Sequence, residues 1–346
     1  MPSPAPDADP RLQQLVGWLR ELPSEYQVAV DSIRPASNDA SFRRYFRVDA
    51  APRHGGSLIA MDAPPPMEDC RPFMHVAEVF AAAGMNVPRV LQADAAQGFL
   101  LLSDFGNRTY LSELNDSSAD ALYADATRAL VDLQRASREG VLPDYDRELL
   151  LRELMLYPVW YAERHKGHAL QPSERAALEQ AFEALLANNL AQPRVYVHRD
   201  YHCRNLMVLD GPANPGVLDF QDAVYGPITY DLVSLLRDAY VRWPEERVID
   251  WAIRYWERAR KAGLPVPGDF ADFYRDFEWM GLQRHLKVLG IFARLCHRDG
   301  KDRYLADLPL VLQYVEQTAA RYNALAGLAR LVEHVERRAG AVGYTF

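Results

Sequence analysis

Residues 197–205 carry side chains that can handle a proton and a metal ion. Asp200 and Asn205 stand five residues apart after a short apolar stretch, and Asp219 follows fourteen residues after Asn205 at the end of another. Phosphoryl transfer needs these types together, because the attacking hydroxyl must be oriented and Mg2+ takes oxygen ligands while it neutralises phosphate charge. Asp200 would accept the hydroxyl's proton or a hydrogen bond from it, and Asn205 and Asp219 would hold the metal. The spacing therefore predicts a phosphotransferase site in which Asp200 and Asn205 are the catalytic residues.

The same segments resemble a known signature. The run from His198 through Asp200 to Asn205, followed by Leu-Asp-Phe at 218–220, is similar to the catalytic and metal motifs of the protein-kinase-like small-molecule kinases. Its continuation as far as Asp231 resembles the aminoglycoside phosphotransferase and choline kinase family. The resemblance implies that ATP is the phosphoryl donor and that Mg2+ is required. It also implies that Asp231 is a structural acid that ties the following helix to the catalytic loop.

Three further segments, residues 39–47, 61–65 and 281–295, narrow the resemblance within that family. They are similar to the bacterial kinases that phosphorylate the anomeric C1 hydroxyl of N-acetylmuramate and N-acetylglucosamine in the recycling of cell-wall peptidoglycan. This implies a small-molecule amino sugar as the substrate. Two alternatives stay open: a kinase of another small hydroxyl compound, such as an aminoglycoside or a choline-like amino alcohol, and a catalytically dead kinase-like scaffold.

The predicted elements around these motifs change in character along the chain. Residues 12–22 have the spacing of an amphipathic helix, and a second helix at 71–83 ends at Gly84. Five strands accompany them, at 27–34, 42–48, 57–61, 87–93 and 98–102. Beyond Asp104, long helical periods dominate, at 118–137, 147–166, 172–188, 230–240, 244–262, 270–296 and 308–338. A short strand pair, 195–197 with 206–209, and a strand at 216–219 interrupt them.

This order predicts an α+β, bilobal, protein-kinase-like fold. Residues 1–104 would form a small nucleotide-binding lobe with an antiparallel sheet and an N-terminal helix. Residues 105–346 would form a larger, mainly helical lobe that carries the catalytic and substrate-binding residues.

The predicted nucleotide side lacks two features that related kinases have. The loop at 36–41 contains no glycine that would let backbone N–H groups approach phosphate. The strand at 57–61 contains no lysine that would bind the phosphates of the nucleotide. No lysine at all precedes Lys166. If ATP binds, an arginine must supply the cation, and Arg43 and Arg44 directly follow the loop.

Of these two arginines we favour Arg44 as the phosphate-binding residue. Side chains alternate along a strand, so Arg44 shares a face with Phe46, and apolar side chains on that face could line an adenine slot. Glu78, on the next helix, is the predicted ion-pair partner of this arginine. At the end of the last small-lobe strand, backbone groups would read the adenine edge at Leu102, Ser103 and Asp104.

The long helix predicted at 270–296 carries polar side chains among apolar ones. Gln283 and Lys287 fall on one stripe, which Gly290 continues. A buried cation needs a partner or an anionic ligand, so this helix is predicted to form a wall of the substrate site. The candidate substrate-binding residues are Gln283, Arg284, His285 and Lys287 on this helix, with His202 and Asp222. His202 either faces the substrate or holds the loop in shape, and Asp222 is a second metal contact or a substrate contact.

Composition excludes several classes of function. The chain of 346 residues has 39 basic and 47 acidic residues, a net charge of −8, which is unlike a dedicated nucleic-acid binder. Its 49% hydrophobic content is too high for a disordered chain, and no apolar run reaches the roughly 20 residues of a membrane span. The three cysteines form no CxxC pair, and the first 23 residues contain no apolar signal segment. We therefore expect a cytoplasmic protein that binds neither nucleic acid nor membrane.

Overall fold

The computed structural model describes residues 9–37 and 42–340, without the side chains of residues 37 and 338–340. Two compact units make up this range. The first holds the residues up to Arg108 together with Met207–Asp222, and the second holds Thr109–Leu206 together with the residues from Ala223 onward. The predicted division, made once after Asp104, differs from this one because it left residues 207–222 in the second lobe.

Most helices and strands lie close to the ranges predicted from the sequence, but the predicted helices at 147–166 and 308–338 are each divided in two. The first part of the chain contains α1 (Pro10–Arg20), β1 (Ala29–Ser37), β2 (Arg44–Asp49), β3 (Ser57–Asp62), α2 (Arg71–Ala82), β4 (Val90–Asp94) and β5 (Phe99–Ser103). The remainder contains α3 (Tyr110–Glu113), α4 (Ala119–Arg135), α5 (Arg147–Leu154), a π-helix at Tyr157–His165, α6 (Pro172–Ala191), β6 (Arg194–Val197), β7 (Leu206–Met207), β8 (Gly216–Val217), β9 (Val224–Pro227), α7 (Tyr230–Leu236), α8 (Glu245–Lys261), α9 (Phe270–Asp299), α10 (Leu308–Arg321) and α11 (Ala326–Gly340).

The first unit is built on a five-stranded antiparallel sheet in the order β1-β2-β3-β5-β4. One face of this sheet is covered by α1. Phe46 and Val48 of β2 are buried there in one cluster with Leu15 and Leu19 of α1, since burying apolar side chains is the main force that packs a helix on a sheet. The N-terminus of α1 is fixed by the side chain of Asp9, which accepts hydrogen bonds from two backbone N–H groups of the first turn.

The returning segment, residues 207–222, joins the first unit through its backbone. The N–H of Val208 donates to the carbonyl of Arg108 (2.7 Å), and the N–H of Val217 donates to the carbonyl of Asn86 (2.8 Å). The ring of Phe220 packs against α2, with its centroid 4.7 Å from that of Phe73. These contacts explain why the segment groups with the first unit although it follows helices of the second unit in the chain.

The end of α2 follows the sequence prediction. Ala83 is the C-cap, and the next residue, Gly84, has a φ of +86°. Glycine adopts this left-handed conformation without the steric cost that a Cβ atom would bring, which is why it so often ends a helix.

The second unit is mainly helical, and its only regular pairing among the described residues differs from the prediction. β6 pairs with β9 in an antiparallel ladder, whereas β7 pairs with β8. The predicted pair of 195–197 with 206–209 is therefore wrong. α9, 30 residues long, is buried over much of its circumference. No helix in the described ranges combines the length and apolarity needed to cross a membrane.

Candidate active site

The loop between β6 and β7 presents Asp200, and an acid in the first turn of α7 holds this loop. The two carboxylate oxygens of Asp231 accept the backbone N–H groups of His198 (2.6 Å) and Arg199 (3.0 Å). The amide of Asn205 donates to the carbonyl of Asp200 (3.0 Å). Arg199 has a φ of +77°, a conformation that a non-glycine residue keeps only when its surroundings hold it. The loop is therefore fixed from both ends.

A second acid anchors the far half of the loop. One oxygen of Asp238 accepts the backbone N–H of Cys203 (2.9 Å), and the other accepts that of Tyr240 (3.1 Å). Asp238 is 1% exposed. Asp238 is not among the residues predicted from the sequence, although it lies seven residues, or about two helical turns, after Asp231.

Positive charges surround Asp200. Burial raises the pKa of this carboxyl, but the charges of Lys287, His202, Arg284 and Arg199 outweigh burial and lower the pKa to about 2. The carboxylate is therefore ionised at neutral pH and is a weak base. It can orient a hydroxyl by accepting its hydrogen bond, and it can take the proton as the bond to phosphorus forms, which suits the loose transition state of phosphoryl transfer.

A buried ionic network supports these charges. Glu153 of α5 is 5% exposed and accepts from Arg199 (2.5 Å) and from Lys287 (3.0 Å). Lys287 also donates to the hydroxyl of Tyr230 (3.0 Å). Glu153 was not predicted from the sequence, because a single acid in an amphipathic helix does not show that it will be buried.

The stripe predicted on α9 exists, but it faces α5 and the π-helix. The side-chain amide of Gln283 donates to the carbonyl of Leu150 (2.9 Å), and Lys287 pairs with Glu153 as described. A Cβ atom on Gly290 would lie 2.4 Å from the backbone of Leu156. Gln283 therefore fastens two helices together, and the structure gives no support to its predicted contact with substrate.

His285 is also turned away from Asp200. It is fully buried, stacks on Tyr314 with centroids 4.8 Å apart, and shares a hydrogen bond with the carbonyl of Arg237 (2.9 Å). Burial lowers the pKa of His285 to about 3, so the ring is neutral. Its role here is packing. Of the four polar residues predicted on α9, Arg284 and Lys287 are the two whose charges act on Asp200.

On the first unit, Arg44, the favoured phosphate ligand, is engaged by two acids. Its guanidinium bonds Asp62, which is fully buried and lies directly opposite on β3 (2.7 Å), and also pairs with Asp9. Arg11 of α1 bonds the other oxygen of Asp62 (2.7 Å). The alternation along β2 was predicted correctly, but the face that carries Arg44 is the one that α1 covers.

Arg43 instead pairs with Asp219, the predicted metal ligand. Their closest atoms, one guanidinium nitrogen and Oδ1, are 3.7 Å apart. Gln221 donates to the same Oδ1 (2.8 Å), and Asp219 has a φ of +63°. Strained backbone of this kind is often found at functional sites. Asp222, three residues on, is exposed.

Each of the two side chains predicted to bind magnesium has suitable chemistry. The carboxylate of Asp219 is 38% exposed and offers oxygen. The side-chain nitrogen of Asn205 donates to the loop backbone, so the amide oxygen is the atom of this side chain that could bind a cation. Carboxylate and amide oxygens are the ligands that a small hard cation prefers.

The other predicted nucleotide contacts have mixed outcomes. Glu78 lies on the exposed side of α2 and, within the described ranges, makes no ion pair, so its predicted pairing is wrong. The amide of Ser103 and the backbone of Leu102 belong to the ladders of β5 with β3 and β4. Asp104 is the first residue beyond these ladders. Residues 38–41 of the predicted phosphate loop lie outside the described residues.

The side chain of Asp104 is engaged within the first unit. Arg47 of β2 donates to it (2.9 Å), as do the hydroxyl of Ser57 (2.8 Å) and the N–H of Gly106 (2.9 Å). Burial raises the pKa of Asp104, but these donors outweigh it and keep the pKa below its usual value. The carboxylate therefore shapes the turn after β5.

Comparisons with known proteins agree on the family. The sequence profile of the phosphotransferase enzyme family matches residues 32–270. An N-acetylmuramate/N-acetylglucosamine kinase of Pseudomonas aeruginosa is 50% identical over 96% of this chain and 99% of its own length. The protein of the same name from Neisseria meningitidis serogroup B is 52% identical over 96% of this chain and 98% of its own.

A solved structure is similar in fold. The ADP-bound aminoglycoside phosphotransferase APH(2'')-Ib superposes with a TM-score of 0.57 at 16% identity, and the match covers 87% of this chain and 97% of that one. At this identity the likeness concerns the fold, and it confirms the α+β, kinase-like class predicted from the sequence.

Proposed function

Because this chain belongs to the phosphotransferase enzyme family, we propose that it transfers the γ-phosphoryl group of ATP to the anomeric C1 hydroxyl of N-acetylmuramate or N-acetylglucosamine. The observation that carries the choice of acceptor is the similarity, at 50% and 52% identity over nearly the full length, to two kinases named for these sugars. The reaction would belong to the recycling of cell-wall sugars in the cytoplasm, where ATP is available.

In the proposed mechanism Asp200 orients the sugar hydroxyl and receives its proton late. The bonds from Asp231 to the loop backbone hold the carboxylate in position, and the surrounding cations keep it ionised. Positioning and charge stabilisation are the main contributions that a protein makes to phosphoryl transfer. Asp200 therefore acts by orientation first and as a base second.

The nucleotide contacts follow from the first unit and from the sequence motif. Arg43, beside Asp219, supplies the cation that a strand lysine supplies in related kinases. When bound, Mg2+ would neutralise phosphate charge, and we assign Asn205 and Asp219 to it on the strength of the sequence motif. Backbone groups at and after Asp104 would read the adenine edge.

The charges near Asp200 favour a neutral or anionic acceptor over an aminoglycoside. Arg284 and Lys287 both act on Asp200, and a polycationic substrate would be repelled by them. The scaffold alternative is disfavoured because the family and the full-length relatives are enzymes.

A coupled assay of ADP release tests the proposal. The acceptors are N-acetylmuramate, N-acetylglucosamine, their 1-O-methyl glycosides, an aminoglycoside and choline. We expect Mg2+-dependent ADP release with the two free sugars, and none with the glycosides, in which the anomeric oxygen is blocked. Release with only the aminoglycoside or choline, or equal release with the blocked sugars, would overturn the proposed acceptor.

A further inference from the structure

One buried cation in the second unit has no partner among the residues that the structure describes. Arg284 of α9 is 3% exposed, and its Nε and Nη1 atoms are buried without a hydrogen-bond acceptor. It makes no ion pair in the described ranges, whereas two other buried cations, Arg237 at the end of α7 and Lys287 of α9, do. Arg237 bonds Glu278 (2.9 Å), and Lys287 bonds Glu153 (3.0 Å).

A buried charge without a partner is unfavourable, because the low-dielectric interior does not replace the water that solvated it. A ligand of opposite charge that binds beside such a group supplies the partner that the protein does not. The guanidinium of arginine presents a planar fork of N–H donors that matches a carboxylate in two parallel hydrogen bonds. In Arg284 the Nε and Nη1 atoms, which lie on different edges of this fork, both lack an acceptor among the described residues.

The groups around Arg284 belong to the acceptor side of the proposed reaction. The charges of Asp200 and Asp238 both act on Arg284, but Asp238 already accepts two backbone N–H groups. His202 has a buried Nδ1 atom without a partner, and its ring meets Tyr240 edge-on with centroids 5.3 Å apart. A guanidinium and an imidazole, both with buried polar atoms that lack a partner in the described residues, thus lie near the carboxylate that would orient the hydroxyl.

We propose that Arg284 is a carboxylate-binding subsite that holds the lactyl carboxylate of N-acetylmuramate. The inference rests on the proposed function, because it takes Asp200 as the group that orients C1. The lactyl ether is on C3 of the same ring, so its carboxylate lies within about one sugar ring of the hydroxyl that Asp200 orients. The bound carboxylate supplies the missing partner of Arg284.

The competing assignment is that Arg284 binds the phosphoryl group in transfer. The proposed function already assigns the phosphate cation to Arg43, which pairs with Asp219 in the first unit. The two assignments also differ in what they predict. A phosphoryl contact serves every acceptor equally, whereas a carboxylate contact serves N-acetylmuramate and not N-acetylglucosamine.

The test compares Arg284→Gln with Lys287→Gln, using kcat/KM for both sugars. Lys287 is a matched control, because it is a buried cation three residues along α9 that acts on Asp200 but is already paired. Charge-assisted hydrogen bonds contribute about 1.5–3 kcal/mol, which corresponds to roughly 10- to 150-fold. In Arg284→Gln we expect the ratio of kcat/KM for N-acetylmuramate to that for N-acetylglucosamine to fall by at least tenfold. In Lys287→Gln both values should fall together.

A ratio that changes less than twofold in Arg284→Gln would overturn the inference and assign the residue to the shared chemistry. Direct binding gives a second readout: by calorimetry without nucleotide, Arg284→Gln should lose affinity for N-acetylmuramate and keep that for N-acetylglucosamine. Thermal unfolding checks the fold, and the melting temperature should not fall, because the variant removes an unpaired buried charge. If the wild-type enzyme phosphorylates neither sugar, the proposed function fails instead, and the two failures are distinguished.

Discussion

Replacing Arg43 and Arg44 in turn by methionine should produce two different losses. Arg43→Met should raise KM for ATP, because it removes the cation beside Asp219 that we assign to the phosphates. Arg44→Met should instead lower the free energy of unfolding, because Arg44 neutralises the buried carboxylate of Asp62. Methionine keeps a similar length and apolar stem in both cases, so each variant mainly removes the guanidinium.

The magnitudes follow from the contacts. A charge-assisted contact with phosphate contributes about 1.5–3 kcal/mol, so KM for ATP should rise roughly 10- to 150-fold in Arg43→Met. The pair between Arg43 and Asp219 is 3.7 Å long, and the acid is 38% exposed, so the loss of the pair should cost at most about 1 kcal/mol of stability. Breaking a buried ion pair costs about 3–5 kcal/mol, but Arg11 still bonds Asp62 after Arg44 is removed. For Arg44→Met we therefore expect a loss of about 1–3 kcal/mol.

Steady-state kinetics at saturating sugar and urea unfolding of the apoprotein measure the two effects separately. The reasoning would be refuted if Arg44→Met raised KM for ATP as much as Arg43→Met while leaving the free energy of unfolding unchanged. That pattern would restore Arg44 as the phosphate ligand and would mean that its bonds to Asp62 rearrange when nucleotide binds.

Three further predictions concern packing, linkage and chemistry. Gly290→Ala should lower the free energy of unfolding by about 1–3 kcal/mol, because the new Cβ would lie 2.4 Å from the backbone of Leu156. Gly281→Ala is the control: its nearest neighbour is 3.6 Å away, so it should be neutral or stabilising in urea unfolding. Equal effects of the two variants would contradict the packing of α9. Burial raises the pKa of Asp231 to about 7, so between about pH 4 and pH 7 the folded state keeps a proton that the unfolded chain has released. Over this range the free energy of unfolding should therefore decrease with rising pH more steeply in the wild type than in Asp231→Asn. Parallel curves would show that the pKa of Asp231 is not raised. Asp200→Asn should lower kcat by at least 100-fold and leave the Kd of ATP within threefold, and a variant that kept more than a tenth of wild-type kcat would show that Asp200 is not the catalytic residue.

Local patterns in the sequence were enough to predict most of the helices and strands and to locate the catalytic loop. The periodicities place most helices and strands within a few residues of their observed ends, and Gly84 stops α2 as expected. The motif from His198 to Asn205 and the acid at Asp219 led to the phosphotransferase family, which the comparisons confirm. β9 was missed because four residues that include glycine and proline give almost no strand signal.

The partners of individual side chains depend on tertiary packing, which these local patterns do not determine. Alternation along β2 divides its side chains between two faces, but it does not say that α1 covers the face of Arg44 or that Arg44 pairs with Asp62. The period of α9 puts Gln283 and Lys287 on one side, but it does not identify α5 as the neighbour on that side. Arg284 was recognised as one polar residue among several, and its lack of a partner is visible only in three dimensions.

The position of the phosphate on the product tests the central claim most directly. Wild-type enzyme, ATP, Mg2+ and N-acetylglucosamine are incubated, and the product is examined by phosphorus NMR with detection of the coupling to sugar protons. The account predicts one phosphomonoester coupled to the anomeric proton. A phosphate coupled to the protons at C6, or to those of any other hydroxyl-bearing carbon, would contradict it.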